Sequence, residues 1–313
     1  MRIVFLGSGA FAIPSLRALA DGGHDIAAVV TQPDREKGRG RALQPPPVKP
    51  VADALGLRVL QPPRIRAPEA VEELRALAPD LQVVVAYGQI LPRAVIDAAR
   101  RGTINVHSSL LPRYRGAAPI HWAIVNGETE TGVTTMMIDE GLDTGPILLS
   151  RATAIGGEET TPELEVRLSQ MGGALLVETI DRLAGGTVSP VAQDHAAATS
   201  APMLRKEDGR IDWTAAAEVI ARRVRGLQPW PGTVTDCAGT DLKILRAALA
   251  ARPSAAGRAE PPGRVLAIDE GIVVACGGGT ALRVVEVQPA SRRAMAASAF
   301  AAGARLVPGA RLG

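Results

Sequence analysis

Asn105 and His107 stand two residues apart at the end of a short apolar run, within GTINVHSSLLPRYRGAAPIHWAIVN at 102–126. If Thr103–His107 is a strand, both side chains project from one face, because neighbours along a strand alternate in direction. An amide that donates, beside an imidazole that can take or give a proton, suits acyl transfer: an oxyanion develops and a proton must move. Such a triplet is weak by itself, since polar strand ends followed by Pro112 and Gly116 also make ordinary turns. A carboxylate would strengthen it. The stretch IDEGLDTGPI at 138–147 offers Asp139, Glu140 and Asp143 in a loop between two apolar runs. One of the three can pair with His107 and fix its tautomer. Spacing alone does not choose among them.

Other segments carry weaker signals. Gly7-Ser8-Gly9-Ala10-Phe11-Ala12 follows the first apolar run and fits G-x-G-x-x-A, a turn used by nucleotide-binding enzymes. No acid stands at Val30-Thr31-Gln32 to hold a ribose, so the glycines read better as permitting a tight strand-to-helix turn. The segment QPDREKGRGRALQPPPVKP at 32–50 carries Arg35, Lys37, Arg39, Arg41 and Lys49 around Gly38 and Gly40. A basic, glycine-rich connection of that length is seldom idle inside a compact domain and can mould onto a phosphate backbone. The plainer alternative is a solvated loop. Arg222, Arg223 and Arg225 lie on a predicted helix, where they could meet RNA phosphates or form an ordinary solvated face. His24 and His195 read as surface or turn residues, and His121 as part of the helix after the Asn105 strand.

Holding Asn105 and His107 in place requires a sheet, and the first half supplies one. Apolar runs at 3–6, 26–31, 81–86 and 103–107 read as strands, with helical patterns at 10–20, 67–78 and 162–183. Continuous apolar strands alternating with helices predict an α/β domain with a mostly parallel, Rossmann-like sheet covered on both faces. Its ligand crevice would border the carboxyl ends of the strands, where Asn105 and His107 lie. Residues 189–208 lose all periodicity and are rich in Ala, Ser, Pro and Thr, which reads as a linker. Beyond it come a helix at 213–227 and short strands at 242–245, 264–268, 271–276 and 282–287, the pattern of a small OB-like β-barrel. An Ala/Pro/Gly-rich stretch at 247–262 reads as a loop. The expected domains are therefore 1–188, a linker at 189–208, and 209–313.

Composition narrows the class. No run of about 18 apolar residues exists, which argues against a membrane span. The N-terminal apolar run stops at Gly7, too short for a signal-peptide core. Cys237 and Cys276 stand far apart, and with four scattered histidines they give no metal-ligand spacing. A cytoplasmic enzyme without a metal is expected. Residues 1–199 hold 19 Lys+Arg against 22 Asp+Glu, whereas residues 200–313 hold 16 against 10. The basic half points to a polyanionic partner.

Taken together, QPDREKGRGRAL, VVVAYGQILP, GTINVHSSLLPRYRGAAPIHWAI, GLDTGPIL, DGRIDWTAAAEVIARRVRGLQPWPGT and VPGARL resemble the methionyl-tRNA formyltransferase family, in its order and spacing along nearly the whole chain. The resemblance implies a formyltransferase-type α/β domain, a linker and an OB-like C-terminal domain. It implies formyl transfer from 10-formyltetrahydrofolate, a cosubstrate rather than a tightly bound cofactor, to the amine of initiator methionyl-tRNA, by a monomer. The family's catalytic Asn, His and Asp match Asn105, His107 and Asp143. Its folate pocket matches Ser109, Leu110, Leu111 and Pro112, with Tyr87, Gly88, Gln89, Leu91, Ile138, Asp139, Glu140 and Gly141 around them. Its tRNA-contacting loop matches 32–43, with Lys37, Arg39 and Arg41 as the contacts and Arg39 foremost. Arg222, Arg223 and Arg225 are the expected contacts in the C-terminal domain. The tail QPASRRAMAASAFAAG departs from relatives, which carry a Gly-Lys pair after Pro-Ala. Rival readings are a formyltransferase acting on glycinamide ribonucleotide or an amino sugar, a nicotinamide-dependent oxidoreductase resting on Gly7-Ser8-Gly9, and a non-catalytic RNA-binding module that leaves Asn105, His107 and Asp143 without a role.

Overall fold

The computed structural model describes residues 1–37, 42–251 and 260–313, which group into two compact units. The first comprises Met1–Pro119, Glu130–Ala154 and Glu165–Pro202. The second comprises Ile120–Thr129, Ile155–Leu164 and Met203–Gly313.

In the first unit the strands are β1 (Arg2–Gly7), β2 (Asp25–Val30), β3 (Arg35–Lys37), β4 (Ala42–Gln44), β5 (Val59–Leu60), β6 (Leu81–Val85), β7 (Thr103–His107), β8 (Glu130–Met137) and β9 (Ile147–Ala154). Seven of them form one sheet in the order β5-β2-β1-β6-β7-β8-β9, and β3 and β4 pair separately as a hairpin. From β5 to β7 every pairing is parallel; β8 runs antiparallel to both β7 and β9. In β1 the residues Ile3, Val4, Phe5 and Leu6 have no exposed surface, as a strand covered on both faces requires. Burial of each such side chain contributes about 1.5–3 kcal/mol relative to exposure. Gly7 is needed at the turn: a Cβ there would lie 2.6 Å from the Phe5 ring and 3.0 Å from the Val85 carbonyl.

The helices are α1 (Ile13–Asp21), α2 (Val48–Ala54), α3 (Pro68–Ala76), α4 (Arg93–Ile96), α5 (Pro119–Val125) and α6 (Thr161–Ala184). α1 opens with a proline in its first turn and stops at Gly22-Gly23, with Gly23 in the left-handed region. Strands β8 and β9, the second of them at the sheet edge, correspond in the sequence only to the apolar runs flanking 138–147: ETGVTTMM mixes Thr, Gly and Met and is not the continuous apolar run of the inner strands. The segment expected to be a linker also differs. Val191 exchanges two 2.8 Å backbone hydrogen bonds with Ile147, and residues as far as Pro202 belong to the first unit. The segment is irregular, as lost periodicity indicated, but its main chain still bonds to the start of β9 and to the loop after β7, which leaves no periodic trace.

The second unit holds β10 (Thr233–Cys237), β11 (Thr240–Ala250), β12 (Val265–Ile268), β13 (Ile272–Ala275), β14 (Ala281–Pro289) and β15 (Met295–Ala296), with α5 from Ile120 onward, the first turn of α6, α7 (Ala217–Gly226) and α8 (Ala297–Gly303). The antiparallel order β10-β11-β14-β13-β12 ends on two edges that the C-terminal tail joins, bridging Arg311 to Arg264 and Leu312 to Cys237. This closure yields the OB-like barrel. Its core gathers Trp213, Ile220, Val224, Leu242, Ile272 and Leu282, and Trp213 Nε1–H donates to Thr235 Oγ1 at 2.9 Å. The predicted helix at 213–227 begins only at Ala217. The predicted loop at 247–262 is strand through Ala250, and its residues 252–259 lie outside the described set. Among the described residues, no helix is long and apolar enough to cross a membrane, and no cluster of His, Cys, Asp and Glu could hold a metal ion.

Candidate active site

β7 lies between parallel β6 and antiparallel β8, with Asn105 opposite Val84 on one side and Met136 on the other. Asn105 is partly exposed, and among the described residues its side-chain amide has no hydrogen-bond partner. His107, on the same face, is only 6% exposed. Its Nε2 lies 2.9 Å from the Tyr114 carbonyl. A carbonyl only accepts, so Nε2 carries the proton and donates it. Nδ1 then faces Asp143 Oδ2 at 3.6 Å, an electrostatic contact longer than a hydrogen bond. Of the three acids left open by spacing, Asp143 is the one that meets the imidazole. Asp139 instead shapes its own loop, accepting from Thr144 Oγ1 at 2.6 Å and Gly141 N at 3.0 Å, while Glu140 is exposed.

Both partners of His107 sit on unusual backbone. Tyr114 has φ +60° and Asp143 φ +53°, left-handed values for which non-glycine residues incur strain. Gly116, at φ +120°, brings its N–H to Asp143 Oδ2 at 2.9 Å; a Cβ there would meet the Ala201 carbonyl at 2.7 Å, so only glycine fits. Gln193, buried to 6% exposure, donates from Nε2 to the Asp143 carbonyl at 2.9 Å and the Gly145 carbonyl at 2.7 Å. Its Oε1 accepts from Arg115 Nη2 at 2.7 Å and Nε at 3.1 Å. The sequence signalled Gly116 only as a turn residue and gave Tyr114 and Arg115 no role, although all three lie within the RYRG of the strongest segment. Gln193 had no signal except its place in a stretch without periodicity.

The expected folate-binding residues divide into two groups. Gly88, at φ +82°, and the partly exposed Gln89, Leu91, Ile138 and Asp139 lie on the loops after β6 and β8, with Glu140 and Gly141 exposed. Leu110 and Pro112 are partly exposed on the turn after β7, next to a cis Leu111–Pro112 bond. Ser109 and Leu111 are buried, and the Ser109 hydroxyl donates to the Arg113 carbonyl at 2.6 Å, closing the turn. The Tyr87 ring is also buried, packed with Ile65, Leu74 and Val95, and burial pushes its phenol up to about 12. These three side chains are buried within the fold rather than presented on its surface.

A cavity of about 340 Å³ opens at the carboxyl ends of β1, β2 and β6, lined by Ser8, Gly9, Gln32, Arg35, Tyr87 and Gly88 among others; it includes none of Asn105, His107 and Asp143. Ser8 ties the three strand ends together, donating to the Tyr87 carbonyl at 3.1 Å and accepting from Gln32 N at 3.0 Å. Asp34, the first acid past β2, is held below the usual carboxylate range by hydrogen bonds from Gln61 and then Lys49. It is already committed, which fits the glycine turn being structural rather than a ribose site.

For the basic residues, β3 and β4 form the arms of a hairpin; Arg39 and Arg41 lie outside the described residues, as does the side chain of Lys37. The α7 arginines are directed inward. Arg223 donates to the Asp208 carbonyl, and Arg225 donates to the Glu159 carbonyl at 2.8 Å. Burial, its largest influence, draws Arg225 below its ordinary pKa. The Arg222 guanidinium closes against Gly127, and its Nε is buried without a hydrogen-bond partner among the described residues. His121 is half-buried, and burial pushes its imidazole pKa down.

Residues 1–180 match the family model for formyl transferase, and residues 203–305 match formyl transferase, C-terminal domain. A methionyl-tRNA formyltransferase of Citrifermentans bemidjiense is 52% identical over 313 residues, which cover 100% of this chain and 96% of that protein. The chain belongs to the methionyl-tRNA formyltransferase family. Two solved structures share its fold at 18% identity. One is an N-formyltransferase from Helicobacter canadensis in complex with folinic acid and dTDP-3-aminofucose, at TM-score 0.67 over 92% of this chain and 98% of that one. The other is HypX from Aquifex aeolicus in complex with tetrahydrofolic acid, at TM-score 0.64 over 96% of this chain and 47% of that one. Asn105, His107 and Asp143 all fall within the first stretch that matches the formyltransferase model. Gln193 falls between the two matched stretches.

Proposed function

We propose that this chain transfers the formyl group of 10-formyltetrahydrofolate to the α-amino group of methionyl initiator tRNA, with Asn105, His107 and Asp143 as its catalytic residues. The observation that carries the chemistry is the juxtaposition at the end of β7: an amide with no hydrogen-bond partner among the described residues, two positions from an imidazole whose nitrogens face a carbonyl and a carboxylate. The amine nitrogen attacks the formyl carbon, and the new N–C bond forms as the carbonyl oxygen gains negative charge. The Asn105 amide donates to that oxygen, a contact worth about 3–4 kcal/mol of barrier. Collapse breaks the bond from the formyl carbon to the folate nitrogen, and the proton lost by the amine ends on that nitrogen. Because Nε2 is committed to Tyr114, any proton His107 exchanges passes through Nδ1, the nitrogen facing Asp143. Asp143 therefore orients the ring and stabilises it while positively charged. No covalent enzyme intermediate is needed.

The folate is taken by the partly exposed surface of the loops carrying Gly88, Gln89, Leu91, Leu110, Pro112 and residues 138–141. The hairpin arms β3 and β4 carry Lys37, Arg39 and Arg41 to the acceptor stem, whose first base pair is open in initiator tRNA. Transfer of labelled formyl to charged initiator tRNA, charged elongator tRNA, glycinamide ribonucleotide and a dTDP-amino sugar tests this. The initiator is expected to be the best acceptor by kcat/KM. Faster transfer to the ribonucleotide or the sugar would overturn the acceptor assignment.

A further inference from the structure

We infer that the segment joining the two matched family stretches is a working part of the catalytic centre, with Gln193 and Thr199 as positioning residues that fix the two partners of His107. This rests on the reading of Asn105, His107 and Asp143 given above, and extends it to residues outside both family models.

The imidazole is oriented from two sides, and each side is held by the same segment. On the Nε2 side, the Tyr114 carbonyl accepts from His107, while the Tyr114 N–H donates to Thr199 Oγ1 at 2.8 Å. The backbone next to it is pinned as well: Arg115 N donates to the Thr199 carbonyl at 2.9 Å, and Ala201 N donates to the Arg115 carbonyl at 2.7 Å. On the Nδ1 side, Asp143 Oδ2 faces the ring, and the Gln193 amide donates to the carbonyls of Asp143 and Gly145. Arg115 links the two sides by donating to Gln193 Oε1. Tyr114 and Asp143 both occupy left-handed backbone, which persists only where surrounding contacts hold it. The segment supplies those contacts. A buried glutamine fits because both of its functions are used: the amide bonds two carbonyls, and its oxygen accepts an arginine.

Conservative variants separate positioning from bulk stability. In Thr199→Val the shape is kept and the acceptor for Tyr114 N–H is lost, whereas Thr199→Ser keeps the acceptor. In Gln193→Glu the acceptor for Arg115 is kept, but an oxygen is set against two carbonyl oxygens. Misplacing a catalytic group by about 1 Å costs on the order of 100-fold, so Thr199→Val and Gln193→Glu should each lower kcat by about 10- to 100-fold. The KM for the folate should stay within about twofold, and Thr199→Ser should recover most of the rate. The second readout is the ring-nitrogen NMR signal of His107, one of only four histidines, in the resting protein. It should report a hydrogen-bonded Nε2–H in the parent and in Thr199→Ser, and a changed environment in Thr199→Val. Wild-type kcat in folded Thr199→Val, a loss that serine does not restore, or an unmoved His107 signal would overturn the inference. If Gln193→Glu does not fold, the Thr199 pair decides. If His107→Ala transferred formyl at the full rate, the catalytic reading would fail, while the His107 signal in Thr199→Val would still test whether the segment orients the ring.

Discussion

Two regions of this molecule gather polar side chains against main-chain carbonyls, and they differ in what is left over. At the end of β7, His107, Gln193 and Gly116 are bound into a network around Asp143 and Tyr114, and Asn105, on the same strand face as His107, has an amide without a hydrogen-bond partner among the described residues. On α7, Arg223 and Arg225 donate to the carbonyls of Asp208 and Glu159, and Arg222 closes against Gly127. A catalytic group needs hydrogen-bonding capacity that the fold does not use, and a phosphate contact likewise needs a free cation. Residue type identified both regions as candidates. Only the accounting of partners separates a site held ready from a set of arginines that hold their own unit together.

The largest expected effect tests the first side of that comparison. Asn105→Ala should lower kcat by about 10²–10³-fold, the usual consequence of losing one oxyanion donor. Its thermal midpoint should match the parent, because the amide makes no hydrogen bond among the described residues. A rate near that of the parent in a labelled-formyl assay would leave Asn105 without a chemical role. Loss of the fold would show that the amide is not uncommitted.

Next comes recognition. Arg39→Ala should weaken use of initiator methionyl-tRNA by roughly 1–3 kcal/mol in kcat/KM, with little change for an elongator. Equal losses with both tRNAs would reduce the β3–β4 hairpin to general phosphate attraction. The opposite outcome is expected for α7. Arg225→Gln should cost about 1–2 kcal/mol of stability in the second unit, a charged hydrogen bond discounted for partial exposure. It should leave tRNA affinity within about twofold. All three tryptophans, Trp122, Trp213 and Trp230, lie in the second unit, so urea unfolding followed by their fluorescence reads that stability directly. A large loss of tRNA affinity without a loss of stability would return Arg225 to the nucleic-acid surface.

Much of the fold was legible because burial writes itself into periodicity. β1, β2 and β6 are largely apolar runs, β7 keeps Ile104 and Val106 apolar between its polar residues, and the helices between them alternate at helical spacing. The pair of Asn105 and His107 was legible for the same reason, as two polar residues on one face at a strand end. What carries no period was not legible. The distance from His107 to Asp143 depends on a loop with positive φ, and no pattern in IDEGLDTGPI distinguishes Asp143, which meets the ring, from Asp139, which caps its own turn. Gln193 was hidden in a stretch whose composition resembles a free linker, and its bonds join residues about 50 positions apart. The direction of the α7 arginines was equally invisible. Arg222, Arg223 and Arg225 occupy a helix whose apolar residues, Ile220 and Val224, set the core face, but carbonyls at helix and loop ends can draw long side chains inward from any other face.

The smallest effect is a pH dependence of the second unit, set by His121. Burial holds its folded-state pKa below the ordinary imidazole value of about 6.5. Between the two pKa values the unfolded chain therefore binds more protons than the folded one, and stability rises with pH. The contribution is complete above about pH 6.5 and diminishes as pH falls through the depressed folded-state value. His24 has the same sign for the same leading reason, but it lies in the first unit. Tryptophan fluorescence, confined to the second unit, should isolate His121. Urea midpoints at about pH 7.5 and 5.5 should differ less in His121→Gln than in the parent. An unchanged difference would mean that the half-buried imidazole is protonated in the fold without cost. His121 would then be one more cation that the second unit accommodates, alongside the arginines of α7.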